Sequence, residues 1–236
     1  MNRYLLTIVF LIFFSTVIFS QVHSDTVNQT DDEGKKQGFW KKYNESGMLK
    51  YEGFFKNDIP TGDFIYYYPD GVVRAKSFFY NEGKYMQTTT FHHNGKKMTE
   101  GFYYGEDKDS LWKYFNNSEI LLKEEFYKNN MKGGVWKIYY EDGQVAEETS
   151  WKQDKKEGHW KQYFPDGTLK LEGAYTNNEK QGEIKYFYPS GKLNIAGQYE
   201  QSYRIGEWLY LDENSQVVRK EIYENGKLVK EVEYKN

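Results

Sequence analysis

The chain has 236 residues, of which 19% are aromatic, 28% are charged, and 38% are hydrophobic on a count that includes tyrosine. This composition is rich in aromatic and poor in aliphatic residues, which argues against the deep aliphatic core of a doubly wound α/β domain. The formal net charge is -3 and cysteine is absent, so disulfides, thiolate metal sites and cysteine nucleophiles are excluded, and no basic footprint for nucleic acid is present.

The N-terminal segment is predicted to be a signal peptide. Residues 1–4 carry one arginine, residues 5–19 are almost wholly apolar, and Ser20 precedes a polar stretch. An apolar helix of this length would span roughly 22 Å, which is short of a bilayer core of about 30 Å. We therefore expect a signal peptide at 1–20, a flexible leader at 21–33, and export to the periplasm, the cell envelope or the medium, with an uncleaved anchor as the alternative.

Residues 34–236 are predicted to form one repeat domain with short terminal caps. A 24-residue unit recurs without insertion, and its eight copies start at residues 38, 62, 86, 110, 134, 158, 182 and 206. If the first residue of each unit is position 0, glycine occupies position 0 in six units and tryptophan occupies position 2 in five. Position 17 is aromatic in all eight units. A fixed period of this kind indicates a repeat architecture in which each unit packs on its neighbours.

Each unit has the chemistry of a β-hairpin. Residues 68–71, 164–167 and 188–191 are turn tetrapeptides with proline second and glycine last, and apolar and polar residues alternate after the turn. The pattern predicts an all-β fold, an elongated, open, solenoid-like single-layer antiparallel sheet of eight tandem hairpins, or about sixteen strands. The predicted turn glycines, at position 9, are Gly47, Gly71, Gly95, Gly143, Gly167 and Gly191.

The first strand of the unit leaves one question open. Positions 2 and 5 differ by an odd number, so an ideal strand would point the tryptophan and the second aromatic to opposite faces. Either a bulge turns one of them round, or both faces carry aromatic residues.

The motif Gly-x-Trp-x-x-Tyr-x-x-x-Gly-x-Leu, found at residues 38–49 and 158–169, resembles the bacterial variant of the MORN repeat. Chains of this kind are similar to the YwqK-like antitoxin family, and the resemblance covers about residues 38–229. It implies a twisted sheet of successive hairpins, repeat-mediated protein interaction, lipid contact in eukaryotic relatives and an antitoxin label in bacteria. The predicted export limits the antitoxin role to a family label, since an exported chain cannot neutralise a cytosolic toxin.

The aromatic residues at positions 2 and 17 are predicted to hold neighbouring hairpins together, because every unit needs the same packing. The alternative is an exposed ladder for a glycan, a peptide or a lipid. These residues are Trp40, Phe64, Trp112, Trp136, Trp160, Trp208, Phe55, Tyr103, Tyr127, Trp151, Tyr175, Tyr199 and Tyr223.

A row of lysines at position 3 is the candidate interaction surface. The alternative is a solvated face whose charge is balanced by the glutamates that recur at position 14. The row consists of Lys41, Lys113, Lys137, Lys161 and Lys185.

No catalytic constellation is visible in the sequence. His92 and His93 are adjacent in a predicted strand and so make a poor metal pair, and the carboxylates fall in repeated columns with one shared environment. We therefore expect no enzyme activity, cofactor or metal. The expected partner is another protein, with no nucleic acid and no membrane contact beyond export. A cell-envelope element that self-associates through sheet edges, or a glycan- or lipid-binding module, is the alternative.

Units three and four depart from the pattern. Met86, Thr88, Ser110 and Glu119 replace the expected glycine or aromatic residues. These replacements mark either a bend or partner-specific spot in the sheet or relaxed drift in a tolerant repeat.

Overall fold

The computed structural model describes residues 26–234, and the predicted signal peptide lies outside them. In this part of the chain every element is a β-strand, and no helix is long and apolar enough to cross a membrane. The nineteen strands are β1 (Gln29–Thr30), β2 (Lys36–Tyr43), β3 (Leu49–Lys56), β4 (Ile59–Tyr67), β5 (Val73–Tyr80), β6 (Tyr85–Phe91), β7 (Lys97–Tyr104), β8 (Asp107–Phe115), β9 (Leu121–Lys128), β10 (Met131–Tyr139), β11 (Val145–Lys152), β12 (Lys155–Tyr163), β13 (Leu169–Thr176), β14 (Glu179–Lys180), β15 (Gly182–Phe187), β16 (Leu193–Glu200), β17 (Tyr203–Leu211), β18 (Val217–Glu224) and β19 (Lys227–Glu233).

The strands form one open antiparallel sheet, which confirms the predicted all-β, single-layer hairpin architecture. Each strand pairs with the one that follows it, and β14 and β15 both pair with β13, so these two short strands continue one line. If they are counted together, the eight hairpins supply sixteen strands. The remaining two are β1, which lies within the segment predicted as a leader, and β19, which pairs with β18 at the other end.

Two kinds of turn alternate along the sheet. Within a unit, a short loop is closed by paired backbone bonds, as when the Gly71 N–H donates to the Tyr68 carbonyl at 2.9 Å. Between units, two residues with positive φ form the turn, for example Asn57 at 53° and Asp58 at 66°. Turns with two left-handed residues match the twist of antiparallel strands, which explains why asparagine, aspartate and glycine recur there.

The glycine at position 0 forms a bulge. Gly62 has a φ of 66°, and the register passes from Thr61 opposite Phe54 to Phe64 opposite Gly53. In unit three Met86 has no such bulge and pairs directly with Phe79. The two residues that form the bulge in other units belong here to a longer return turn at residues 81–84. The register of the rest of the strand is therefore unchanged. In unit four Ser110 keeps the bulge and adopts a φ of 60°.

The thin core lies on one face of the sheet and is built from contacts between positions 2 and 15. Trp112 packs flat on Gly101, and a Cβ at this glycine would lie only 2.3 Å from the indole. Trp208 packs on Gly197 in the same way and is wholly buried. A buried cluster of this core lies in units six to eight and consists of Trp160, Leu171, Tyr175, Ile184 and Trp208.

Candidate interaction surfaces

The structure places positions 2 and 5 on opposite faces. Trp40 pairs with Gly53, and the next residue, Lys41, pairs with Glu52 on the other face. One bulge of the unit lies at position 0. The other lies opposite positions 4 and 5 but has its extra residue at position 12 of the partner strand, so positions 2 to 5 still alternate regularly. We call the side with positions 2, 4, 13, 15 and 17 the Trp face, and the side with positions 3, 5 and 14 the Lys–Glu face.

The thirteen predicted structural aromatics all lie on the Trp face, but their burial differs. Trp112, Trp160 and Trp208 are buried, whereas Trp40 and Trp136 are half-buried. Rings at positions 2 and 17 contact one another along the sheet, with centroid separations such as 4.9 Å for Tyr103 and Trp112. The rings at position 17 therefore pack beside those at position 2, and Phe55 contacts such rings in two units, Trp40 and Phe64.

The six predicted turn glycines all have φ between 78° and 88°. Residues with a Cβ occupy the same place in two units, where Glu119 and Ser215 both have a φ of 64°. A side chain in this region carries backbone strain that glycine avoids.

The lysines at position 3 lie on the Lys–Glu face, close to the glutamates at position 14. Lys161 faces Glu172 in the register, and Lys185 forms an ion pair of 2.9 Å with Glu183. This face therefore carries alternating charge rather than net positive charge. The other ion-pair distances are 3.4 Å for Lys41–Glu52, 3.7 Å for Lys113–Glu124 and 3.1 Å for Lys137–Glu148.

Tyrosines at position 5 link neighbouring units on the Lys–Glu face. The Tyr67 hydroxyl donates to Glu52 at 2.6 Å, and the Tyr139 hydroxyl donates to Glu124 at 2.8 Å. Burial and the bonded carboxylate raise the pKa of Tyr67 to about 12, and they raise the pKa of Tyr139 as well. Each of these glutamates therefore forms an ion pair with a lysine of its own unit and accepts a hydrogen bond from a tyrosine of the next unit.

On the Lys–Glu face, apolar residues recur at positions 1 and 16 in units one to five and form an apolar stripe that Asp63 and Gln87 interrupt. Its most exposed members, Phe78 and Val135, are both 48% exposed. At the same two positions units six to eight carry mostly small or polar residues, such as Ala174, Glu183 and Gln198. The sequence carried a signal for the stripe, because position 16 is phenylalanine in each of units one to four, but that column was not singled out. Its members are Phe39, Phe54, Phe78, Phe102, Leu111, Phe126 and Val135.

Two buried carboxylates occupy position 15 on the Trp face, in units four and eight. Glu125 is 4% exposed and accepts hydrogen bonds from Lys123 at 2.6 Å and from Tyr127 at 2.9 Å. Burial alone would raise the pKa of Glu125, but the bonds from Lys123, Tyr114 and Tyr127 outweigh it and hold the pKa below its usual value.

Glu221 repeats this arrangement four units later. It accepts hydrogen bonds from Tyr210 at 2.6 Å and Tyr223 at 3.0 Å, and forms ion pairs with Arg204 and Arg219. These bonds again outweigh burial and lower its pKa. The available signal in the sequence was a glutamate at position 15 with a cation at position 13, which occurs only in these two units.

The histidine pair is held at the turns. His92 lies 3.1 Å from the carbonyl of Phe115, and His93 lies 2.6 Å from a carboxylate oxygen of Asp70. Within residues 26–234, no group of three or more histidine, aspartate or glutamate side chains is placed to hold a metal ion.

A family model described as "MORN repeat variant" matches the chain at residues 36–57, 60–82, 132–153, 156–177, 180–201 and 216–236, which together make up more than half of its length. The gap between the second and third segments coincides with units three and four. No curated protein matches the chain.

Two crystal structures are similar over most of this chain. That of TcdB2-TccC3-TEV shares 11% identity and a TM-score of 0.24, with 90% of this chain and 14% of that chain covered. That of TcdB2-TccC3-Cdc42 shares 9% identity and a TM-score of 0.22, with 82% and 13% covered. The chain thus spans about a seventh of the length of each, and these likenesses bear on neither its fold nor its function.

Proposed function

The chain belongs to the MORN repeat variant family, and from this premise we propose that it is an exported, non-enzymatic protein that presents its Lys–Glu face to another protein. The observation that carries the proposal is the apolar stripe of units one to five. Groups of exposed apolar side chains on a folded protein mark interaction sites, and aromatic residues are enriched at the centres of protein interfaces.

The surroundings of the stripe also fit an interface. The ion pairs beside it, such as Lys41–Glu52 at 3.4 Å and Lys113–Glu124 at 3.7 Å, supply a charged rim of both signs. A rim of this kind contributes little affinity but selects the partner and its register. An antitoxin role stays a family label in this proposal, because export separates the chain from a cytosolic toxin.

Pull-down from the envelope fraction with residues 21–236 tests the proposal. The stripe variant carries Phe54→Ser, Phe78→Ser and Phe126→Ser. The control variant removes three exposed apolar residues outside the stripe, Tyr203, Leu228 and Val229, which are 62%, 47% and 52% exposed. We expect one protein to be retained by the wild-type chain and by the control variant, and lost by the stripe variant. Equal retention by both variants would exclude the stripe as the binding site.

The control variant also addresses self-association. Leu228 and Val229 lie on β19, which pairs with β18 alone within residues 26–234. An envelope element that associates through its edges would show a molecular mass that grows with concentration in light scattering, and the control variant would abolish that growth. A constant monomer mass is the result we expect.

Export has its own test. The protein recovered from cell fractions should be absent from the cytosol and should begin at Gln21. Intact residues 1–20 on a membrane-bound protein would support the uncleaved anchor instead.

A further inference from the structure

A row of five basic residues crosses the Trp face near the start of the first strand of hairpins four to eight, in β8, β10, β12, β14 and β17. Each lies two residues before position 0, directly opposite the position-17 aromatic of the preceding strand, as Lys132 pairs with Tyr127 and Lys156 with Trp151. We call these residues the cation row. They are Lys108, Lys132, Lys156, Lys180 and Arg204.

The cations of the row lie above aromatic rings. The Lys132 ammonium is 4.6 Å from the ring centroid of Trp136 and 4.5 Å from that of Trp151. The Lys180 ammonium is 5.2 Å from Trp160 and 5.1 Å from Tyr199. An aromatic ring attracts a cation through its quadrupole but does not neutralise its charge. The charge of these lysines therefore remains available at the surface.

Three consecutive members of the row have no carboxylate partner. In the described part of the chain, the ammonium groups of Lys132, Lys156 and Lys180 form no ion pair, unlike Lys137 and Lys185 on the opposite face of the same units. Arg204 at one end of the row is paired with Glu221, and Lys108 at the other donates to the Tyr114 hydroxyl at 2.8 Å.

The backbones of these three lysines are fixed in place by the return turns. The Lys132 N–H donates to the Asp154 carboxylate at 2.8 Å, the Lys156 N–H to the Asn178 amide at 2.8 Å and the Lys180 N–H to the Ser202 hydroxyl at 2.9 Å. Of these turn residues only Asp154 is charged, and its bond goes to the backbone rather than to the ammonium group. The backbone of these three residues is thus held in position without a ligand.

An open cavity of about 270 Å³ adjoins the row between units four and five. At this place Glu125 occupies position 15, where Trp112 and Trp208 meet glycine, and Trp136 is half-buried whereas those two tryptophans are buried. Trp136 and Trp151 form its apolar wall, and Glu147 and Lys156 lie among its polar lining residues. Its volume is at the small end for ligand pockets, which suits one ring-sized group.

We propose that the cation row and this cavity bind a linear acidic polysaccharide that lies across the strands. The carboxylates of such a polymer meet the lysines at a spacing of about 9.6 Å, which is twice the distance between strands. One sugar ring places its apolar C–H face on Trp136, and its hydroxyl groups reach the polar lining of the cavity.

The twist of the sheet favours a linear polymer over a flat surface. Neighbouring strands rotate by about 20–25°, so successive members of the row differ in direction by roughly 40–50°. A flat bilayer reaches one or two of these cations at a time, whereas a flexible chain follows the row. Nucleic acid requires a denser set of phosphate contacts than three isolated lysines provide on a chain of net charge -3.

The test measures binding of the full folded chain to polygalacturonate, a linear polyuronate. The row variant carries Lys132→Gln, Lys156→Gln and Lys180→Gln. The opposite-face variant carries Lys137→Gln, Lys161→Gln and Lys185→Gln, which makes the same charge change in the same three units. A contact between unit charges 4 Å apart in water corresponds to about a fivefold change in affinity, so the row variant should bind about a hundredfold more weakly. The opposite-face variant should bind as the wild-type chain does.

Three further measurements separate charge from folding and from stacking. The triple Lys→Arg variant at residues 132, 156 and 180 should retain binding, because Arg204 shows that arginine fits this position. Lys156→Gln alone should weaken binding about fivefold, which keeps the test readable if the triple variant unfolds. Trp136→Ala should weaken binding about fivefold without changing its salt dependence.

Equal losses in the row and opposite-face variants, or no binding of polygalacturonate at low salt, would overturn the proposal. Tighter binding of oligothymidylate, of vesicles with anionic phospholipid or of polyglutamate than of polygalacturonate would overturn the assignment of the ligand. A neutral glucan should not bind.

Discussion

The contact between Gly197 and Trp208 gives the sharpest test of how the sheet is held together. A Cβ at Gly197 would lie 2.3, 2.4 and 2.8 Å from three atoms of the Trp208 indole. Trp208 is wholly buried, so Gly197→Ala must push the largest buried side chain of the sheet outward. Gly173 is the matched control, because it occupies the same position in the preceding unit but its Cβ would lie 3.4–3.7 Å from Ile184, an ordinary contact.

The two substitutions are expected to have opposite signs. Overpacking of a well-packed site lowers the free energy of unfolding by about 1–3 kcal/mol, and 1 kcal/mol corresponds to about 2–4 °C in a chain of this length, so Gly197→Ala should lower the melting temperature by roughly 2–12 °C. At Gly173 a Cβ meets no clash and the backbone φ is not positive, so alanine fits the native conformation. Because alanine lowers the conformational entropy of the unfolded chain, Gly173→Ala should raise the free energy of unfolding by about 0.4–1 kcal/mol.

Thermal unfolding and hydrogen exchange together measure this difference. Because units of a repeat protein contact only their neighbours, the effect should be local. Amide exchange in β16 and β17 should accelerate in Gly197→Ala and remain unchanged in Gly173→Ala. Equal destabilisation by the two substitutions would refute the packing argument, because it would show that the cost comes from the loss of glycine rather than from the ring.

Three other changes follow from local geometry. Ser215 has a φ of 64° at a position where glycine is the rule, so Ser215→Gly should raise the free energy of unfolding by about 1 kcal/mol in urea titration, and a decrease would contradict the strain. Thr88 and Ser77 share a hydroxyl hydrogen bond of 2.8 Å, so Thr88→Trp should lower the free energy of unfolding by about 1–3 kcal/mol. In a double-mutant cycle, adding Ser77→Gly should recover most of that loss. Additive losses would show that the two positions are uncoupled. The lowered pKa of Glu221 contributes stability that is present above the usual carboxyl pKa and is lost as pH falls through the folded-state value, so stability should decrease below about pH 5. Glu221→Gln should flatten that decrease, and an unchanged pH profile would contradict the assignment.

The hairpin fold could be predicted from the sequence because its determinants are local. Turn glycines such as Gly71 and Gly167, the proline before them and the alternation after them act within one unit, and the period multiplies the signal. The treatment of Met86 could not be predicted in this way. The loss of the position-0 glycine is compensated in the return turn before it, and the compensation depends on pairing with β5 rather than on the unit itself.

The candidate sites were less visible because they depend on residues in neighbouring strands. Glu125 and Glu221 stand in a column otherwise filled by glycine, serine or threonine, and the partners of Glu221 include Arg204 and Tyr210 of the neighbouring strand β17. The stripe residue Phe78 lies opposite Gln87 in the next strand. Its exposure therefore depends on a cross-strand neighbour, which cannot be read from the residues that recur at position 16.

The two rows of lysine show how the same side chain acquires different roles in one sheet. Lys137 stands opposite Glu148, which cancels its charge, whereas Lys156 stands opposite Trp151, which attracts the cation without cancelling it. The cross-strand partner alone makes the difference, because both lysines recur at the same period. The two positions are five residues apart along the strand, an odd number, so their side chains lie on different faces. The repeat therefore builds one charge-balanced face with an apolar stripe and one face on which the ammonium groups of Lys132, Lys156 and Lys180 have no carboxylate partner within residues 26–234.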